Sequence, residues 1–163
     1  MRIFEVRHGQ TLPKSYYLNN PSLPTGDSGL SDLGKEQARL AGKRSKELKF
    51  DGIIFSSPYD RTLNTANIIA EEVGAKVIPL NCIREISNAK EPRERSAGSG
   101  AEIIKKCPCV DAELDKNYTW YDEREEGLAD VIDRLKDGLK PILEGLPKDK
   151  DVLLVTHAAD SVA

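Results

Sequence analysis

At 163 residues the chain has the length of one domain, and its net charge of −3 with scattered Lys and Arg excludes a surface built to neutralise nucleic acid. Charged residues make up 31% of it, and no apolar run approaches the roughly 20 residues of a membrane-spanning helix, so a soluble protein without a membrane partner is expected. Charges within Met1-Arg2-Ile3-Phe4-Glu5-Val6-Arg7 interrupt the apolar core of a secretory signal, which makes the cytoplasm the expected address.

The first predicted element is a strand from Ile3 that runs into Arg7-His8-Gly9. After a long loop, Ser31 is suited to capping a helix through Gly42 and beyond, with Leu33, Leu40, Ala41 and Leu48 within reach of one face. Gly52-Ile53-Ile54-Phe55-Ser56-Ser57-Pro58 is a short buried strand stopped by proline. A helix follows from Arg61 to Val73, where Leu63, Ala66, Ile69, Ala70 and Val73 recur at helical spacing and Gly74 closes the turn. A third strand is expected from Ala75 to Leu80.

The charged segment 87–125 is expected to be an insertion over the scaffold, with a short helix near Ala101–Lys106 and an aromatic group of Tyr118, Trp120 and Tyr121. Leu128, Val131, Ile132, Leu135, Leu139, Ile142 and Leu143 form a helical stripe that must bend or restart at Pro141. The last strand, Asp151 to Thr156, ends at His157, and Ala158–Ala163 reads as the first turn of a further helix. Strands alternating with helices predict a single α/β domain of three layers, α/β/α, around a mainly parallel sheet. Ligands of such sheets gather beyond the carboxyl ends of the strands.

The chain has two histidines, and each ends an apolar strand. Arg7-His8-Gly9 places a fixed cation, a titratable nucleophile and a permissive backbone at one strand-to-loop junction, a combination suited to phosphate. Arg61 at a helix start fits either a bound dianion or an ion pair with Asp60, and His157 fits either a donor to that anion or a structural group. Cys107 and Cys109 flank Pro108; with one further cysteine they make neither a disulfide framework nor a zinc set, so ordinary thiols and no metal are expected.

Three segments resemble the histidine phosphatase superfamily, which contains phosphoglycerate mutases and many small-molecule phosphatases: Arg7-His8-Gly9-Gln10-Thr11, Leu30-Ser31-Asp32-Leu33-Gly34 followed by Glu36-Gln37-Ala38, and Ser56-Ser57-Pro58 leading to Arg61, Thr62 and Thr65-Ala66. The resemblance implies that His8 is phosphorylated in a covalent intermediate, that Arg7, Arg61 and His157 form the cationic pocket, and that Glu85, after the third strand, is the general acid. It implies a phosphate-contacting asparagine after the opening motif, a place for which Asn19 and Asn20 are the candidates, and a final strand and helix that the sequence through Ala163 does not contain.

No cofactor is implied. The implied partner is a small phosphorylated metabolite, with homo-oligomer formation left open. The run Arg84-Glu85-Ile86-Ser87-Asn88-Ala89-Lys90 differs from the mutases, which favours a phosphatase acting by hydrolysis over a mutase. A catalytically idle phosphate-binding module is the alternative from another class, since Leu12–Leu18 and Ala158-Ala159 depart from the family pattern.

Overall fold

A computed structural model describes residues 1–13, 15, 16, 19, 28–86, 100–111 and 126–158. Among these, four strands form one sheet: β1 (Ile3–Arg7), β2 (Gly52–Ser56), β3 (Val77–Pro79) and β4 (Asp151–Thr156). Their order is β1-β4-β2-β3, with every pairing parallel. The expected third strand is trimmed to three residues, and Leu80 already leaves it, its N–H bonding the carbonyl of Ser56.

β4 lies between β1 and β2 and is buried along its whole length, which is why Val152-Leu153-Leu154-Val155 is uniformly apolar where a half-exposed strand would alternate. Successive side chains point to opposite faces. Leu153 and Val155 join Ile54, Leu63, Ile69, Val77 and Ile103 in one core cluster, while Val152 and Leu154 join Phe55 and Ile83 in another. Helices cover both, giving the three α/β/α layers.

Helix α1 (Asp32–Glu47) begins at Ser31, whose Oγ accepts from the Gly34 N–H at 3.1 Å, and it packs on α2 (Asp60–Val73). Its buried stripe is Gly34, Ala38 and Gly42. The expected leucine face is corrected here: Leu33 and Leu40 are each 55% exposed. Small residues let the two helices approach closely. A methyl on Gly42 would lie 2.9 Å from Glu72 Cβ, so a stripe of large side chains has no room. Helix α2 ends as predicted at Gly74, in the left-handed region (φ 72°) with its N–H bonded to the Ala70 carbonyl.

Helix α3 (Gly100–Lys106) matches the short helix expected there. It is scaffold: Ile103, Cys107 and Val110 are core residues, and Val110 bridges to Val77 of β3. The remainder of 87–125, with Tyr118, Trp120 and Tyr121, lies outside the described residues, as does Ala159–Ala163. The leucine stripe forms α4 (Leu128–Arg134), a π-helical segment (Leu135–Leu139) and α5 (Lys140–Gly145). The irregular turn falls just before Pro141, which has no N–H to continue an α-helical ladder. Cys82, Cys107 and Cys109 are free thiols; burial, first of all, pushes Cys107 up to about 12. No described helix is long and apolar enough to cross a membrane.

Candidate active site

Strand register brings the candidate residues together. Arg7 pairs with Thr156 and Ser56 with Val155, so the residues that leave β1, β2 and β4 emerge at one level. The His8 N–H bonds the Thr156 carbonyl and the Ser57 N–H bonds that of Val155. The His8 and His157 rings lie 5.4 Å apart, tilted by 58°.

His8 Nδ1 is 2.9 Å from the Gly9 carbonyl. A carbonyl only accepts, so Nδ1 carries the proton and Nε2 keeps its lone pair. Burial, and then the charges of Arg61 and Arg7, lower the imidazole pKa from its ordinary value against the opposing pull of the Gly9 carbonyl. The ring is therefore a free base at neutral pH.

The loop after His8 is held from three sides. The Gly9 N–H donates to Thr65 Oγ1 on α2 at 3.1 Å, the Gln10 N–H to Gln37 Oε1 on α1 at 2.8 Å, and Ser31 binds the Gln10 carbonyl through both its N–H and its hydroxyl. Arg7, His8, Gly9, Gln10, Thr11 and Gln37 line a cavity of about 420 Å³. Arg7 is exposed on that wall and has no ion-pair partner among the described residues.

The His157 ring, beside that of His8, leads to a second group of charges. It is fully buried, with Nε2 2.8 Å from Ser57 Oγ and Nδ1 3.3 Å from Arg61 Nη2. Glu85 Oε2 lies 3.4 Å from the same Nδ1 and 3.8 Å from Arg61 Nη2. The carboxylate favours a proton on Nδ1, whereas burial opposes it, helped by Arg61, His8, Arg134 and Arg7. Enclosure dominates, and the His157 pKa falls to about 2. A guanidinium only donates, so in the neutral ring Nδ1 accepts from Arg61 and Nε2–H donates to Ser57. Tyr59 completes the cluster, its ring edge-on to His157 at 5.3 Å and beneath the Arg61 guanidinium at 4.4 Å.

His8, Arg7, Arg61, Glu85 and His157 lie close together, with Arg61 held by Glu85 and His157. Asn19 is exposed in a turn where its N–H bonds the Ser15 carbonyl, and it is not among the residues that line the cavity. Asn20 lies outside the described residues. Ser57, Tyr59, Thr65 and Gln37 went unassigned in the sequence. Ser57 and Tyr59 stand just after β2, whereas Thr65 and Gln37 lie within helices, and a hydroxyl or amide in either place reveals its partner only after folding.

The family model described as the histidine phosphatase superfamily (branch 1) matches residues 3–160. A probable phosphoglycerate mutase of Erwinia tasmaniensis is 27% identical over 96% of this chain and 69% of its own length. An uncharacterized phosphatase of Bacillus subtilis is 28% identical over 94% and 70%. Among solved structures, a mycobacterial glucosyl-3-phosphoglycerate phosphatase in complex with VO3 aligns at a TM-score of 0.61 and 28% identity, covering 97% of this chain and 77% of the other. The ecdysone phosphate phosphatase from Bombix mori, in complex with tungstate, shares the fold at a TM-score of 0.78 and 20% identity over 98% and 74%. With its two histidines meeting at the ends of parallel strands and a family match along almost its entire length, the chain belongs to the histidine phosphatase superfamily.

Proposed function

We propose that the protein is a phosphomonoester hydrolase that passes the phosphoryl group of a small phosphorylated metabolite through His8 to water. The observation that carries this reading is the free Nε2 of His8, with its other nitrogen tied to Gly9, beside Arg7, Arg61 and His157 from β1, α2 and the end of β4. Nε2 attacks phosphorus, the P–O ester bond breaks, and Glu85, entering this step as the carboxylic acid and leaving it as the carboxylate, gives its proton to the leaving oxygen. Water then attacks the phosphohistidine, Glu85 takes the water's proton, and the P–N bond breaks to release phosphate.

Arg7 and Arg61 would stabilise the charge that spreads over the phosphoryl oxygens in both steps, and neutral His157, accepting from Arg61 at Nδ1 and donating to Ser57 at Nε2, would hold the Arg61 fork in place. Arg7, exposed on the cavity wall without an ion-pair partner among the described residues, would meet the incoming dianion first. Arg61, anchored to Glu85 and to the buried His157, would provide the fixed donor fork.

Replacing His8 with Ala should lower hydrolysis of p-nitrophenyl phosphate and of a phosphorylated-metabolite panel at least about a thousandfold. It should also abolish the phosphoryl adduct seen by mass spectrometry after neutral quenching. Unchanged turnover in His8→Ala would remove the nucleophile assignment.

The similarity to probable phosphoglycerate mutases favours a second reading, transfer of the phosphoryl group between positions of one metabolite. Labelled phosphate retained in product, with none released, would establish it over hydrolysis.

A further inference from the structure

Glu85 follows a 3₁₀ turn, Asn81–Ile83, and the carbonyls on either side of Ile83 are gripped by one side chain from the end of α4: Arg134 Nη1 donates to the Cys82 carbonyl at 2.6 Å and to that of Arg84 at 3.0 Å. The rest of the Arg134 fork binds Glu126, Nε to Oε1 at 3.1 Å and Nη2 to Oε2 at 3.4 Å. Glu126 also receives Arg84 Nη2 at 2.5 Å, and Arg84 Nη1 returns to the Asn81 carbonyl at 3.3 Å. The Arg84, Glu126 and Arg134 side chains are 6%, 8% and 11% exposed. Instead of pairing with its neighbour Glu85, Arg84 is built into this network.

Buried ion networks are weak sources of stability, because well-packed apolar groups of the same volume often do as well. What such a network supplies here is direction: with Nε and Nη2 seated on Glu126, the planar guanidinium aims Nη1 at two carbonyls at once, and an apolar side chain cannot. The π-helical segment adds a second brace. Gly138 lies so close to the turn that a methyl there would be 2.5 Å from Cys82 Cβ. Beyond this buttress, Glu85 Oε2 reaches His157 and Arg61 while its Oε1 accepts from the Ile86 N–H at 3.2 Å.

We infer that Arg134, aligned by Glu126 and Arg84 and backed by Gly138, is a positioning residue that sets the Glu85 carboxyl against the reacting group. The inference rests on the reading of Glu85 as general acid and deepens it. Arg134 does not touch substrate; it acts through the Asn81–Arg84 backbone. Misplacing a catalytic group by about 1 Å costs on the order of a hundredfold.

The test compares leaving groups. p-Nitrophenolate departs without a proton, whereas the alkoxide of a primary alkyl phosphate needs one. Arg134→Lys keeps the charge and loses the fork, and Gly138→Ala pushes the same turn without touching the charges. Each should lower kcat/KM, which reports phosphoryl transfer to His8 and not the later attack of water, for the alkyl ester by about tenfold or more beyond its effect on p-nitrophenyl phosphate. In a Glu85→Gln background neither should cause further loss on the alkyl ester. Equal losses on both esters for the two variants, or losses that add to that of Glu85→Gln, would overturn the positioning role. If Glu85→Gln itself affects both esters equally, the acid assignment fails and this inference fails with it; a selective Glu85→Gln beside unselective Arg134→Lys and Gly138→Ala overturns the positioning role alone.

Discussion

Burial, above all, pushes the His157 pKa down to about 2, so at neutral pH the native state does not take up its second proton. The unfolded chain does, with an ordinary imidazole pKa of about 6.5. Between that value and the folded value of about 2, the unfolded state binds a proton that the native state does not, so stability falls as pH falls below 6.5. The slope approaches about 1.4 kcal/mol per pH unit for one such group. Urea unfolding at about pH 7 and about pH 5 should therefore show a loss roughly 2 kcal/mol larger in the native sequence than in His157→Gln. Equal losses would mean that the ring is protonated in the folded protein, with Glu85 as its counter-ion. His8 titrates in the same direction, since its pKa is also lowered by burial first and then by Arg61 and Arg7. Both histidines were legible in the sequence because each closes an apolar run. The neutral state of His157 was not, because it depends on Ser57 and Arg61 arriving from β2 and α2.

The post-His8 loop and the first turn of α1 form one unit, built on two glycines. A Cβ at Gly34 would lie 2.1 Å from the Gln10 carbonyl oxygen, and one at Gly9 would lie 2.4 Å from the Gly34 carbonyl oxygen. Both obstacles are backbone, which cannot swing away as a side chain can. Gly34→Ala should destabilise by about 3 kcal/mol, the upper end of overpacking, and raise KM by displacing Gln10 from the cavity wall. Gly29→Ala, with nothing within 4 Å of its Cβ, should stay within about 0.5 kcal/mol. Urea midpoints and KM for p-nitrophenyl phosphate check both, and similar midpoints for the two variants would contradict the close approach. The sequence displayed the helix and its Ser31 cap but misled about its buried face. Large apolar spacing pointed to Leu33 and Leu40, whereas helix–helix distance is set by what is small, here Gly34, Ala38 and Gly42. For the same reason Ile103 and Val110 were hidden in a segment whose charges made it look like surface.

Across the whole sheet, opposite ends of the strands do different work. At the amino-terminal ends Asp151 accepts from Arg2 Nε at 3.1 Å and Nη2 at 2.6 Å, and Arg2 also reaches the Leu48 and Lys49 carbonyls. This ties β1 to β4 and to the turn after α1, and the Arg2 hydrogen bond, above all, holds the Asp151 pKa down to about 2. At the carboxyl ends, β1, β2, β3 and β4 deliver His8, the Ser57–Arg61 segment, Glu85 and His157 to one place, so an anion bound there joins elements far apart in sequence. Such a ligand binds the folded chain only and stabilises it by mass action, about 2.7 kcal/mol at a hundredfold excess over Kd. Tungstate, which mimics a phosphoryl group, should therefore raise the Tm of the native sequence. Asp151→Asn should start from a lower Tm and show the same tungstate increment, because it weakens the far end of the strands and leaves the anion site intact. Arg61→Met should lose most of the increment whatever its own starting Tm. A tungstate increment that survives in Arg61→Met, or vanishes in Asp151→Asn, would show that the two ends are not independent and that the anion is held elsewhere.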